Sequence, residues 1–250
     1  MKYALSNIRL PWLIFTLLVF AGLVKLGFWQ IDRAVQKEQR LNKIAQLSQI
    51  KPISLVDIQQ LPFTDINDLP VKFEGEFEKE VVFLLDNQTN HGHLGYRVYQ
   101  VLNVNNSALL VNLGWVLGSI NRAEYPKIKA LTGTHQITGH IRLIEKGILL
   151  MEDKFTHVSW PMRIQQVDVN KLSVMLNKPL LAFAVYVDKD SPLGYEKNWQ
   201  PIVMPPEKHR AYAFQWFSLA IAWLLLMFWA SIKFSKLAQI SNNSSNKNKS

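Results

Sequence analysis

The chain has 250 residues, no cysteine, 48% hydrophobic residues and a formal net charge of +9. The lack of cysteine excludes disulfides and thiolate metal sites. Most of the positive charge lies near the two ends, and residues 30–210 carry 21 basic and 19 acidic side chains, which amounts to +2. A nucleic-acid-binding function therefore gains no support from the charge.

The first apolar run covers residues 10–29, follows a basic tail at 1–9 and contains Lys25 as its only charge. It is long enough to cross the ~30 Å hydrocarbon core. No small-x-small cleavage site follows it, which favours an uncleaved transmembrane helix over a signal peptide. Apolar residues then continue at helical spacing through residues 30–50, so we expect an amphipathic extension that ends before Pro52.

The second apolar run covers residues 211–232 and contains no charged residue. A polar tail at 233–250 follows, and its composition is typical of disorder. Basic residues near both termini and acids confined to the middle predict, by the positive-inside rule, two cytoplasmic ends. The sequence therefore predicts a membrane protein with two spans, in which residues 30–210 are translocated as one domain.

The middle segment has the two-residue period of β-strands. In "VKFEGEFEKEVVFLL", Phe73, Phe77 and Val81 are predicted on a buried side, and Glu74, Glu76, Glu78 and Glu80 on the other. That acidic row is either a solvated face or a site for a cation or basic partner. "DNQTNHG" is predicted as a turn, and "DVNKLSVMLNK" as a short helix with Asp168 as its N-cap. Further strands are predicted in "YRVYQVL", "ALLVNLGWVL", "HQITGHIRLI" and "LAFAVYV".

These elements together define the expected fold class. It is an α+β membrane protein in which two transmembrane helices flank an antiparallel β-rich extramembrane domain with one or two short helices.

Two constellations suggest chemistry in the middle segment. His91 and His93 are either a metal-binding pair without a third ligand or solvated turn residues. Asp153, His157 and Ser159 supply the residue types of a hydrolase triad, but nothing around them resembles a nucleophile elbow. We therefore expect a protein that is not an enzyme.

The start of the last helix, "PPEKHRAYAFQWF", is unusually polar and aromatic. His209 falls in the first turn, where the helix N-terminus disfavours a protonated imidazole and leaves a nitrogen available to a metal. Small side chains on its helix face predict space for a flat group, and a haem needs such an imidazole, aromatic walls and cations for its carboxylates. The same pattern is typical of membrane interfaces and helix packing. The residues concerned are Lys208, Arg210, Tyr212, Ala213, Trp216 and Ala220.

Several motifs resemble those of the Surfeit-locus-one family of cytochrome c oxidase assembly proteins. "FWQIDRAVQK" is similar to the family's Trp-Gln-x-x-Arg-Ala-x-x-Lys signature, and "EKHRAYAFQWF" to its C-terminal motif. "LLDNQTNHGHLGYRV", "LLVNLGWV" and "WPMRIQ" are similar to family segments between them. The motif residues in these segments include Trp29, Gln30, Arg33, Asn87, Gly95, Tyr96, Asn112, Gly114, Trp115 and Gln215.

The resemblance implies a non-enzymatic assembly factor for haem–copper cytochrome c oxidase, one that assists haem a delivery to or insertion into the large oxidase subunit. It makes His209 the candidate haem iron ligand, with Arg210, Tyr212, Trp216 and Phe217 as further cofactor-binding residues. The implied partners are the large oxidase subunit, the machinery that makes haem a, and membrane lipid, with no nucleic acid. The alternative is a haem-free membrane scaffold that stabilises an oxidase assembly intermediate.

The sequence departs from the family pattern at one informative position. Leu113 stands where the family usually has an arginine, and Gly118 stands where a proline is common. A partner contact made by that arginine is therefore not expected here, unless Arg97 or Arg122 replaces it.

Overall fold

A computed structural model describes residues 10–144 and 159–247. The chain forms two compact units, one from residues 1–42 and 201–250 and the other from residues 43–200. The first contains most of helix α1, Leu10–Leu47, and all of helix α4, Pro206–Lys247; we call α1 and α4 the helix pair. The second unit, residues 43–200, is the β domain.

Helix α1 is continuous from Leu10 to Leu47, so the apolar run and its amphipathic extension form one element. No glycine or proline interrupts the stretch after Gly27, and Pro52 lies five residues beyond the last helical residue. Its buried residues are Thr16, Gly27 and Ala34, all small.

Helix α4 begins at Pro206, where the missing N–H of proline costs no hydrogen bond, and Glu207 lies in the first turn. The helix continues to Lys247, through much of the tail that the composition indicated as disordered. No proline or glycine ends it after the apolar run. Among the described residues, α1 and the Pro206–Phe234 part of α4 are the two helices long and apolar enough to cross a membrane.

The β domain is built on a six-stranded mixed sheet with the order β2-β3-β6-β4-β1-β5, and β2 also pairs with β1. The strands are β1 Pro70–Asn90, β2 His93–Val104, β3 Ser107–Leu117, β4 Gly133–Leu143, β5 Met162–Ile164 and β6 Leu180–Val187. The predicted fold class is confirmed, with one refinement. The β3–β6 and β1–β5 pairs are parallel, whereas the other pairs are antiparallel.

Two short helices complete the domain. Helix α2, Leu55–Ile58, is capped by the Ser54 side chain, and helix α3, Val169–Leu176, by Asp168, whose carboxylate accepts from the backbone N–H of Asn170 and Lys171. The predicted N-cap is thus confirmed. Asn177 ends α3 in the left-handed conformation.

The sheet has an apolar cluster on each face. One cluster includes Val98, Val111 and Ile137, and the other includes Phe83, Leu110 and Leu172 of α3. Both clusters are almost fully buried. Since each face is covered, the strands between them read as nearly continuous apolar runs.

Two details of β1 differ from the sequence expectations. The pairing register of β1 with β2 shifts between Phe77 and Val82, and Glu80 in that interval has a φ of 67°. This bulge places Val81 in the cluster opposite to that of Phe77, contrary to the prediction. The predicted turn "DNQTNHG" is also wrong in extent, because β1 continues to Asn90 and only His91 and Gly92 form the turn.

Candidate functional site

His209 lies in the first turn of α4 and is buried against α1. Its side chain is 7% exposed, although its neighbours Lys208 and Arg210 are exposed. A buried polar side chain near a helix end normally satisfies its hydrogen-bonding atoms. His209 satisfies one of them.

The Nδ1 atom of His209 lies 2.7 Å from Oε1 of Gln30 on α1. Because a carbonyl oxygen only accepts, the Nδ1–H of His209 donates to it, and in the neutral ring the lone pair then belongs to Nε2. The Nε2 atom is buried and has no hydrogen-bond partner. Metal-binding histidines have this arrangement, in which a hydrogen bond through one nitrogen orients the ring and the other nitrogen is unprotonated.

Close packing of small and aromatic residues surrounds this contact. A Cβ atom at Gly27 would lie 2.6 Å from the Phe217 ring, so only glycine fits there. Phe28 meets Phe217 edge-on with a centroid distance of 5.4 Å. The Trp223 Nε1–H also donates to the Thr16 carbonyl at 3.1 Å. The two helices are therefore held by small residues and a few hydrogen bonds, as is usual in lipid.

The expectation of open space beside Ala213 and Ala220 is wrong. Ala213 is 3% exposed and Ala220 is 2% exposed, so neighbouring atoms cover both side chains. The small side chains allow the helices to approach rather than leaving a gap between them.

The other predicted cofactor-binding residues are spread around α4. Phe217 lies against α1, Trp216 is half-buried, Gln215 is exposed, and Tyr212 is 45% exposed. The structure thus brings Phe217 and His209 to the α1 side and leaves Tyr212 largely on the outer surface.

Arg210 pairs with a carboxylate of α1. Its Nη2 atom lies 2.7 Å from Oε2 of Glu38, and both side chains are about half exposed. The carboxylate that Arg210 meets in this structure is therefore a side chain of the same unit.

Only one residue of the first motif reaches His209. The Arg33 guanidinium lies over the Trp29 ring at 5.5 Å and donates to Gln36 at 2.9 Å. Trp29 is 47% exposed. Gln30 of this motif faces α4, as its hydrogen bond to His209 shows.

The motif residues of the β domain shape its strands. The Asn112 Oδ1 atom accepts from the backbone N–H of Gly114 at 2.9 Å, and Gly114 has a φ of +115° that favours glycine. The Trp115 Nε1–H donates to the Gln88 carbonyl at 2.8 Å. A Cβ at Gly95 would lie 2.6 Å from the Trp115 ring.

The remaining motif positions surround a buried carboxylate that sequence reasoning missed. Asp86 is 3% exposed, accepts from Arg122 Nη2 at 2.6 and 2.7 Å, and accepts from the Asn87 N–H at 2.7 Å. Arg122 also lies over the Tyr96 ring at 5.8 Å. The position of Asp86 within "LLDNQ", just after an apolar run, is the signal that indicates a carboxylate at the edge of a core.

Leu113 is 1% exposed and belongs to the core of the β domain. This position therefore cannot present a side chain to a partner in this chain. Of the two suggested replacements, Arg122 is paired with Asp86, whereas Arg97 lies over the Tyr186 ring at 5.7 Å.

The other sequence candidates gain no support. His91 and His93 are both exposed at the β1–β2 turn. Within the described parts of the chain, no group of three or more His, Asp or Glu side chains is placed to hold a metal ion. Asp153 and His157 of the suggested hydrolase triad lie outside the described residues.

Taken together, two span-length apolar helices and a mixed β domain between them in the chain define a membrane protein with a large extramembrane part. Its polar site lies between the two helices. A model of the SURF1 family matches residues 17–221, and the chain belongs to that family, which is known for cytochrome oxidase assembly. A comparison with curated proteins returned no match.

Proposed function

We propose that the protein assists haem a delivery to, or insertion into, the large subunit of a haem–copper cytochrome c oxidase. It acts as a non-enzymatic factor in the bacterial inner membrane, with both termini in the cytoplasm and the β domain in the periplasm. The observation that carries the proposal is the buried, unpartnered Nε2 atom of His209.

The donor chemistry of His209 fits a haem iron. Neutral imidazole is a common axial ligand, and a hydrogen-bond acceptor such as Gln30 on the other ring nitrogen fixes the tautomer and the ring orientation. Bound haem would supply the redox-active iron that the oxidase later uses. The role of this chain is to hold the iron through one nitrogen and then release it.

The packing around His209 limits the access of a ligand to Nε2. Because Nε2 is closed off from solvent and Ala213 and Ala220 are covered, a ligand reaches Nε2 only when the helices or their side chains shift. Phe217, which lies against α1, would then line the widened space. If haem binds only when the helices move, the reverse movement releases it, as a delivery factor requires.

The test is the absorption spectrum of the full chain purified from cells that make haem a. The wild-type protein should show a Soret band, and His209→Ala should lose it. Gln30→Ala should retain a band but bind roughly 10–100-fold more weakly, since the loss of a residue that orients a ligating histidine has an effect of that size. His93→Ala, an exposed histidine of the β domain, serves as the control and should match the wild type.

A second candidate, a haem-free scaffold for an oxidase assembly intermediate, is favoured by the closed packing at Ala213 and Ala220. It predicts no haem in the wild-type protein and normal oxidase assembly in cells carrying His209→Ala. A Soret band of wild-type intensity in His209→Ala would overturn the assignment of the ligand.

A further inference from the structure

A cleft in the β domain, separate from the helix pair, has the features of a small binding site. The cleft is partly open to solvent, and its internal volume of about 20 Å³ has room for one small polar group. Strands β2, β3 and β6 and the segment after β6 contribute its walls. The lining residues are Arg97, Asn112, Gly114, Tyr186, Val187, Lys197, Asn198 and Trp199.

Arg97 supplies a positive charge with an unused donor. Its guanidinium lies over the Tyr186 ring at 5.7 Å, and its Nε atom is buried without a hydrogen-bond partner. Burial raises the pKa of Tyr99, and the neighbouring Tyr186 hydroxyl, 2.8 Å away, adds to the effect, while Arg97 opposes it. The charge of Arg97 therefore acts on the buried Tyr99 hydroxyl. Its buried Nε–H has no acceptor, which costs free energy of folding.

Lys197 supplies a second positive charge. Its ammonium group donates to the Leu193 carbonyl, and burial lowers its pKa below the ordinary value. Among the described residues, neither Arg97 nor Lys197 forms an ion pair with a carboxylate. These two partly buried cations thus lack a carboxylate partner that would stabilise them.

The carboxylates near this part of the sheet have other partners. Asp188 lies 3.7 Å from His140, and Glu196 accepts from Asn90 at 2.7 Å. Neither of these carboxylates forms an ion pair with Arg97 or Lys197.

Aromatic rings form the apolar part of the cleft. The Trp199 ring lies 4.5 Å from His140 and 5.4 Å from Tyr186, measured between centroids, and Arg142 lies over Trp199 at 4.8 Å. These contacts hold Trp199 in place as an apolar wall of the cleft.

Asn112 is a further donor that lines the cleft. Asn112 is buried, and its Oδ1 atom already accepts from Gly114. The amide N–H₂ group of Asn112 remains as a donor, and it suits a ligand such as a carboxylate that only accepts hydrogen bonds.

We propose that this cleft binds a single carboxylate group. Arg97 and Lys197 hold the carboxylate oxygens, and Trp199 and Tyr186 form the apolar rim beside them. A planar carboxylate matches this small set of donors better than a phosphate, which requires more of them. The proposal does not depend on haem binding at His209, because no residue of the cleft belongs to the helix pair.

The test is a titration of the detergent-solubilised full chain, labelled with ¹⁵N-tryptophan. Sodium benzoate is the probe and benzamide is its neutral isostere, and Trp199→Phe identifies the Trp199 indole signal. Benzoate should shift that signal, and benzamide should not. Arg97→Gln should weaken benzoate binding roughly tenfold or more, the scale expected for a charge-assisted hydrogen bond.

Two further variants sharpen the result. Arg97→Lys, which keeps the charge but loses Nε–H, should recover part of the affinity. Lys189→Gln removes the same charge at an exposed site and should bind as the wild type does. An unchanged Trp115 indole signal shows that each variant is folded, since that indole donates within the β domain. Equal shifts from benzoate and benzamide, or unchanged affinity in folded Arg97→Gln, would overturn the proposal.

The carboxylate that binds in the cleft is either a side chain of a protein partner or a free small molecule, and the same titration distinguishes the two. A short peptide with one glutamate that binds more tightly than benzoate, while its glutamine counterpart does not bind, indicates an acidic side chain of a protein partner. Binding of benzoate without binding of the peptide indicates a free small carboxylate. Failure of both probes rejects the site and leaves the His209 proposal untouched.

Discussion

The β domain and the helix pair bury their apolar residues in opposite ways. In the β domain, Phe83, Val98 and Leu110 are fully buried. In the helix pair, Leu18 is 67% exposed and Leu225 is 64% exposed, as expected for residues that face lipid. The hydrophobic effect in water stabilises the β domain. In lipid, the surroundings are as apolar as the side chains, so the helix pair has no comparable driving force.

The difference shows where this protein depends on individual residues. The β domain rests on many equivalent apolar contacts. The helix pair rests on a glycine contact with Phe217 and on single hydrogen bonds such as Gln30–His209 and Trp223–Thr16. A site that must open is better placed in the helix pair, because fewer interactions have to break there.

The largest expected effect is in the β domain. Leu110→Ala should reduce the free energy of unfolding of that domain by about 2–5 kcal/mol, because the side chain is fully buried and leaves a cavity. Chemical unfolding followed by near-ultraviolet circular dichroism measures the loss. Leu225→Ala, the same change on the exposed side of α4, is the matched control, and an equal loss there would contradict the contrast between the two regions.

A medium effect is expected at the glycine contact. Gly27→Ala should cost about 1–3 kcal/mol, because the new Cβ would lie 2.6 Å from the Phe217 ring. Tryptic cleavage after Lys208, near the start of α4, should accelerate by about five- to a hundredfold as the helices separate more often.

Gly22→Ala is the control for this change, since it adds the same methyl group to the same helix where nothing lies within 4 Å. Helix propensity changes equally in both variants, so their difference reports the contact alone. Cleavage at the same rate in both would mean that the Phe217 contact does not hold the helices together.

The smallest effect is expected at the Arg210–Glu38 ion pair. Both side chains are about half exposed, so Glu38→Gln should cost about 0–1 kcal/mol of helix-pair stability. The same tryptic assay measures it, and the difference from wild type should vanish at about 1 M salt. A larger cost that resists salt would show that Arg210 has a structural role that its exposure does not reveal.

The sequence predicted the elements of the β domain because they depend on local patterns. Alternation identified the strands, and Asp168 before "VNKLSVML" identified the α3 cap. It failed at Val81, because the bulge around Glu80 gives β1 three more residues than β2 between Phe77 and Val82, and an odd number reverses the faces. Parallel pairing of β3 with β6 was also missed, since no local pattern encodes which distant strands become neighbours.

The sequence by itself determined the two apolar helices, the β domain between them and the family resemblance, because hydrophobic length, periodicity and motifs are properties of short segments. Tertiary structure alone decided that Gln30 meets His209, that Ala213 and Ala220 are packing residues, and that Arg97, Lys197 and Trp199 share one cleft. These residues are up to 179 positions apart in the chain. Only packing of distant segments brings such side chains together, and no local periodicity records it.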